Sequence, residues 1–175
     1  MTALAHAATF QEPPAFFFQS AGASQTSDAL SGMLVTATRH ARDNATDWRS
    51  LTKALIEQVA VECFSPNWDG YGATPVSLEA KRQAQRLVDL LPFRLAPPEP
   101  VPDPDGHISL CWDMGPGHIF TVSVSPSGVL SFAGLLGEGI QRHGVEIFKD
   151  SIPKIFVETI DELYQRTNDS NRTRT

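Results

Sequence analysis

The chain lacks several features that would assign it to a large class of proteins. Its 175 residues contain no apolar run near the roughly 20 residues of a membrane-spanning helix. The N-terminus lacks the charged and apolar regions of a signal peptide, so we expect a cytoplasmic protein. Only two cysteines occur, Cys63 and Cys111, and neither lies in a zinc-ligand spacing. We therefore expect two reduced thiols, no metal and no cofactor.

Positive charge is also scarce. The chain has 14 Lys and Arg residues against 20 Asp and Glu residues, a net charge of −6. Because nucleic-acid binding depends on a dense basic surface, nucleic acid is not expected as the main partner. Lys81, Arg82 and Arg86 form a modest basic face on a predicted helix. That face leaves a nucleic-acid-binding regulator as one alternative.

Three segments follow from the pattern of apolar residues. Residues 1–42 show no sustained period of 2 or 3.6, which predicts a disordered or weakly ordered arm. Within that arm, Phe16-Phe17-Phe18 could dock on the domain, bind a partner or stay exposed. Residues 43–166 are expected to form a single α+β domain, and residues 167–175 a disordered tail.

Two helices are predicted before the first strand. The first begins at Asp47, with Asn44 or Thr46 as its cap, and ends before Pro66. The second begins after Pro75 with Ser77 as its N-cap. Six prolines in residues 92–104 then predict an extended, stiff crossing.

Alternating apolar residues predict a β-meander after the proline-rich segment. Strands are expected at residues 108–112, 120–124 and 129–133, and residues 145–148 could add a fourth. A last helix is expected from about Pro153. The predicted fold is therefore α+β: two N-terminal helices, an antiparallel three- to four-stranded meander, and a C-terminal helix packed on one face of the sheet.

The turn at residues 67–73 has the least ordinary composition in the chain. Gly70 and Gly72 permit a sharp bend, and Asp69 can accept hydrogen bonds from its own turn. Trp68 and Tyr71 each carry a large apolar area with a polar tip. This composition suits a corner between two helices, a recognition loop or a catalytic Asp69. The binding residues that we select are Asn67, Trp68, Asp69, Tyr71 and Trp112.

Catalytic motifs are not found. The sequence contains no Gly-x-Ser-x-Gly and no phosphate-binding Gly-x-x-x-x-Gly-Lys-Ser/Thr. Asp69 or Asp113 with His107 and His118 could form a metal or acid–base site if the two histidines faced each other. Ordinary histidines on the solvent side of a strand pair explain the same residues, so we assign no catalytic residue.

The run Asn67–Ala73, followed by Pro75-Val76-Ser77, Asp105-Gly106 and a strand ending in Trp112, resembles a family of small uncharacterised bacterial proteins. The resemblance covers roughly residues 60–165. It implies a bacterial accessory-gene product, often from mobile or variable regions, and implies no activity.

These observations lead to one expected function and two alternatives. We expect a non-catalytic protein-interaction component of a bacterial accessory system, such as an antitoxin or defence-cassette protein, whose partner protein is encoded nearby. A small enzyme using Asp69 with a histidine is one alternative, and a nucleic-acid-binding regulator is the other. The sequence does not give the oligomeric state.

Overall fold

A computed structural model describes residues 48–172 of the chain. Helix α1 spans Trp48–Glu62, α2 spans Leu78–Leu90 and α3 spans Lys154–Arg172. The expected N-terminal arm, its Phe16-Phe17-Phe18 run and the cap at Asn44 or Thr46 lie outside the described residues. Within residues 48–172, no helix is both long and apolar enough to cross a membrane.

Between α2 and α3 the chain forms one antiparallel sheet in which each strand pairs with the next. The strands are β1 Glu99–Pro102, β2 Ile108–Asp113, β3 His118–Val124, β4 Val129–Leu136 and β5 Gln141–Ile147. The predicted α+β class with an antiparallel sheet is confirmed. The predicted strand number, three to four, is wrong, because the sheet has five strands.

Strand β1 is the one that the sequence pattern did not predict, because it lies in the proline-rich crossing. The N–H of Asp103 donates to the His107 carbonyl at 3.1 Å. Since bonding positions alternate along an antiparallel pair, Glu99 and Val101 also bond to β2, while Pro100 and Pro102 direct their nitrogens to the free edge. The prolines therefore remove no hydrogen bond from the ladder.

The core lies between one face of the sheet, called here the inner face, and the three helices. Alternate residues of the strands supply its apolar side chains, including Leu110, Phe120 and Leu130, all fully buried. Phe156 of α3 packs edge-on against Phe132 and Phe120, with ring centroids 5.2 and 5.9 Å apart. This packing fixes α3 across β3 and β4.

Helix ends follow local chemistry. The Ser77 hydroxyl accepts hydrogen bonds from the N–H groups of Glu79 and Ala80, so the predicted N-cap of α2 is confirmed. Helix α3 continues to Arg172, past residue 166 and into the segment expected to be a disordered tail. The Thr167 hydroxyl donates to the Leu163 carbonyl one turn earlier, at 2.8 Å.

Both cysteines are free, as the sequence predicts. Cys63 is buried after α1, and Cys111 is half-buried in β2. Burial raises the pKa of each thiol, so both are protonated at neutral pH. Neither thiol is therefore an activated nucleophile.

Candidate binding loop

The predicted turn lies inside a longer loop whose two ends are joined. The N–H of Val76 donates to the Cys63 carbonyl at 2.9 Å, so the chain leaves α1 and returns to the same place before α2 begins. Residues 63–76, called here the binding loop, thus form a compact closed loop of the kind that often carries function in proteins.

Asn67 closes the turn at its first residue. Its φ of 61° lies in the left-handed region, which asparagine tolerates better than most residues. Its N–H donates to the Ala73 carbonyl at 2.8 Å, and its side-chain Oδ1 accepts from the Gly72 N–H at 2.7 Å. The two ends of the turn are therefore tied by both backbone and side chain.

Asp69 holds the tip of the turn from inside. One carboxylate oxygen, Oδ1, accepts from the N–H of Tyr71 at 2.8 Å and from the N–H of Ala73 at 3.1 Å. The bond from Tyr71 is the largest cause that lowers the pKa of this carboxyl group, because it favours the ionised form. A carboxylate with a lowered pKa is a weak proton acceptor, so this geometry favours a structural role over general-base catalysis.

The two aromatic residues of the turn have different environments. The Trp68 indole N–H donates to the Thr74 carbonyl at 3.0 Å, and the ring packs partly against the core. Tyr71 is 89 % exposed, more than any other large apolar side chain in residues 48–172. Trp68 therefore anchors the binding loop, while Tyr71 projects from it into solvent.

The β1–β2 hairpin supports the binding loop from the side. The N–H of Thr74 donates to the Pro104 carbonyl at 2.8 Å, and the N–H of Ser77 donates to the Gly106 carbonyl at 2.9 Å. A Cβ atom at Gly106 would lie 2.7 Å from the Pro75 carbonyl oxygen. Only glycine allows this close approach at its φ of 86°.

Trp112, the fifth predicted binding residue, lies apart from the other four. It is 1 % exposed on the inner face of the sheet, and its indole N–H donates to the Ala96 carbonyl at 2.9 Å. A side chain this buried cannot contact a ligand at the binding loop. The structure thus brings together Asn67, Trp68, Asp69 and Tyr71, whose binding role stays a prediction.

A polar cluster on the β1–β2 hairpin was not predicted. Both Asp103 carboxylate oxygens accept from the Ser109 hydroxyl, at 3.0 and 2.9 Å, and one of them also accepts from Ser123 at 2.6 Å. Potential ligand atoms of Asp103, Asp105 and His107 lie within 4.8 Å of one another. Two carboxylates and an imidazole could hold a divalent cation. The sequence signal for this cluster was that its three residues stand at alternate positions, 103, 105 and 107.

His107 and His118, which could form one site only if they faced each other, lie apart in the structure. The β2–β3 register pairs Ile108 with Val124 and Asp113 with Ile119, so the two histidines lie at opposite ends of the hairpin. Seven residue positions separate them along the strands, about 23 Å at the rise of a β-strand. The hypothesis of a site built from both histidines is wrong for this reason.

The basic face of α2 is neutralised by neighbouring carboxylates. Each of its three cations forms an ion pair 2.6–3.2 Å long: Lys81 with Glu57, Arg82 with Glu79, and Arg86 with Asp150. These pairs leave little net positive potential for phosphate groups. The geometry therefore gives no support to the nucleic-acid-binding alternative.

Comparison with known proteins finds no relative of the chain. No family model, no curated protein and no solved structure matches the chain. The resemblance to a family of small bacterial proteins stays a prediction.

Proposed function

We propose that the chain is a non-catalytic protein that binds a partner protein through the binding loop, with Tyr71 as the central contact. The observation that carries this proposal is the contrast within the loop. Asn67, Trp68 and Asp69 use their polar atoms to fix the turn, whereas Tyr71 is 89 % exposed at its tip.

A fixed loop suits binding because its conformational entropy is lost when the chain folds and not when the partner binds. Association normally loses free energy when flexible side chains and loops become ordered, and a preorganised loop avoids much of that loss. Tyrosine is also enriched among the residues that dominate interface energetics, since it offers a large rigid area with one polar tip. The binding loop exposes the Tyr71 side chain to solvent, and that side chain takes no part in fixing the turn.

The geometry of Asp69 favours binding over the enzyme alternative. Its Oδ1 accepts two backbone N–H groups, and among the residues that the structure describes it makes no hydrogen bond to a histidine. An acid–base pair needs direct or water-bridged contact between its two groups.

The proposed setting is the bacterial cytoplasm, where a partner encoded nearby would be met. The two free thiols suit a reducing compartment. An antitoxin or a defence-cassette component is the specific form of binding protein that we propose, as the sequence resemblance implies.

The proposal is tested by measuring binding to the product of the neighbouring gene with isothermal titration calorimetry. Tyr71→Ala should raise the dissociation constant about 30-fold, the effect of losing a contact worth roughly 2 kcal/mol. Its free energy of unfolding should change by less than about 0.5 kcal/mol, because the side chain is exposed.

Leu135→Ala is the matched control. Leu135 is 42 % exposed on β4, and the strand register places it at the end of the sheet away from the β1–β2 hairpin that supports the loop. This variant should bind as the unmodified chain does. Equal affinity of the Tyr71→Ala variant, or no binding of the neighbouring gene product, would contradict the proposal.

A further inference from the structure

Strand β5 has a free edge whose backbone groups have no strand partner within residues 48–172. The N–H of Phe148 donates to the Gly128 carbonyl, and the N–H of Leu136 donates to the Ile140 carbonyl. Because hydrogen-bonding positions alternate along an antiparallel pair, the N–H and C=O groups of the even-numbered residues of β5 bond to β4. The N–H and C=O groups of the other residues point away from β4: Gln141, His143, Val145 and Ile147.

The two edges of the sheet differ in how they meet solvent. At β1, Pro100 and Pro102 occupy the outward positions, so that edge cannot donate hydrogen bonds there. Strand β5 contains no proline and no lysine. Its Val145 and Ile147 are 64 % and 68 % exposed on the outer face. Edge strands with free backbone groups and exposed apolar residues are templates for another strand.

The sequence of β5 is complementary to itself. We propose that β5 pairs antiparallel with β5 of a second copy, about a two-fold axis at Gly144, to form a continuous sheet. In this register Arg142 lies opposite the partner's Glu146, and Glu146 lies opposite the partner's Arg142. The interface uses the same surface on both copies, as closed dimers do, and it does not depend on the proposed function.

Charge selects this register among the available ones. An axis at Arg142 would place two arginines opposite each other, and an axis at Glu146 would place two glutamates opposite each other. Opposite charges across a strand pair contribute roughly 0.2–1 kcal/mol, and like charges are destabilising. Axes at His143 or Val145 leave both charges without an opposite charge across the pair. Only the Gly144 axis forms two attractive pairs.

Both charged side chains on the inner face of β5 can reach these contacts. Arg142 also pairs with Glu162 of α3, but a guanidinium group has five donors and can serve two carboxylates. Glu146 is exposed at the edge. On the outer face, Val145 would lie diagonally across from the partner's Val145, so part of the exposed apolar surface would be covered.

The test is the molar mass of the full chain in solution, measured by sedimentation equilibrium. The unmodified chain should show twice the monomer mass of 19.1 kDa. Glu146→Arg and Arg142→Glu should each raise the dimer dissociation constant roughly tenfold or more, because attractive pairs become repulsive. An equimolar mixture of the two variants should form a heterodimer, since each arginine then faces a glutamate.

Glu99→Arg is the matched control, because it makes the same charge change on the opposite edge strand, β1. It should remain dimeric. Val145→Pro provides a second test: it removes an outward N–H without removing a bond to β4, and it should give monomers. A monomeric unmodified chain would overturn the proposal, and so would a Glu146→Arg variant as dimeric as the unmodified chain. A mixture that fails to associate would overturn the register.

Discussion

Replacing Gly106 by alanine tests whether the β1–β2 hairpin supports the binding loop. The new Cβ atom would lie 2.7 Å from the Pro75 carbonyl oxygen and 3.3 Å from Thr74 Cγ2. The first distance is shorter than any normal contact, and its partner is backbone. The Thr74–Ser77 segment must therefore move away from the hairpin.

Two terms set the size of the effect. A φ of 86° costs a non-glycine residue about 1–2 kcal/mol. The displacement also weakens the bonds from the Ser77 N–H to the Gly106 carbonyl and from the Thr74 N–H to the Pro104 carbonyl, each worth about 1 kcal/mol net. The Gly106→Ala variant should thus lose about 2–4 kcal/mol of unfolding free energy.

Gly115→Ala separates the two terms. Gly115 has a φ of 106°, and a Cβ atom there would meet nothing within 4 Å. This variant pays the backbone cost alone, and the effect of alanine on the unfolded chain is the same in both variants. Urea unfolding should show the Gly106 variant less stable than the Gly115 variant by about 1–2 kcal/mol, the value of the two hydrogen bonds. Equal losses would refute the view that the hairpin supports the loop.

Three further predictions follow from single side chains. Trp112→Ala should destabilise the fold by about 3–5 kcal/mol in urea unfolding, since the ring is fully buried; a loss under about 1 kcal/mol would contradict its place in the core. Ser77→Ala should cost about 1 kcal/mol, measured as a lower urea midpoint, because α2 loses its N-cap. The pKa of Asp69 is lower in the folded chain than its ordinary value of 3.8. The stability that this carboxylate contributes is therefore complete only at pH values well above 3.8, and it is lost progressively as the pH falls through 3.8 and then through the folded pKa. Asp69→Asn should flatten the stability–pH profile in that acid range, and an unchanged profile would contradict the role given to the carboxylate.

The local parts of the fold could be predicted from the sequence. Ser77 caps α2 with bonds to residues two and three positions later, so its role is legible in a short segment. The hydrogen bonds of Asp69 are similarly local. Strands β2 and β3 show clean alternation because one face of each packs on the helices.

The edge strands could not be predicted in the same way. From the sequence alone, the prolines of β1 indicate an extended crossing. Only the register with β2 shows that their nitrogens face the free edge, so that a strand can form there. In β5 the apolar Val145 and Ile147 fall on the outer face, while Arg142 and Glu146 occupy inner positions. This pattern is the reverse of that of a core strand. The alternation of apolar residues therefore showed neither where β5 begins nor which of its side chains face the core.

The polar cluster around Asp103 and the burial of Trp112 depend on contacts between residues that are distant in sequence. Asp103 meets Ser109 and Ser123 only because three strands adopt one register. The burial of Trp112 depends on which face of the sheet the helices cover. Such information lies in the pairing of segments and not in any one of them.

Binding through a preorganised loop requires that residues 63–76 hold their binding conformation before any partner is present. Relaxation of ¹⁵N-labelled backbone amides tests it most directly, through the order parameters of Tyr71 and Gly72 in the free chain. The hydrogen bonds from these two N–H groups to Asp69 and Asn67 predict order parameters of about 0.85, the value of rigid backbone such as α1 and α2. Values below about 0.6, typical of flexible segments, would contradict a preorganised binding loop.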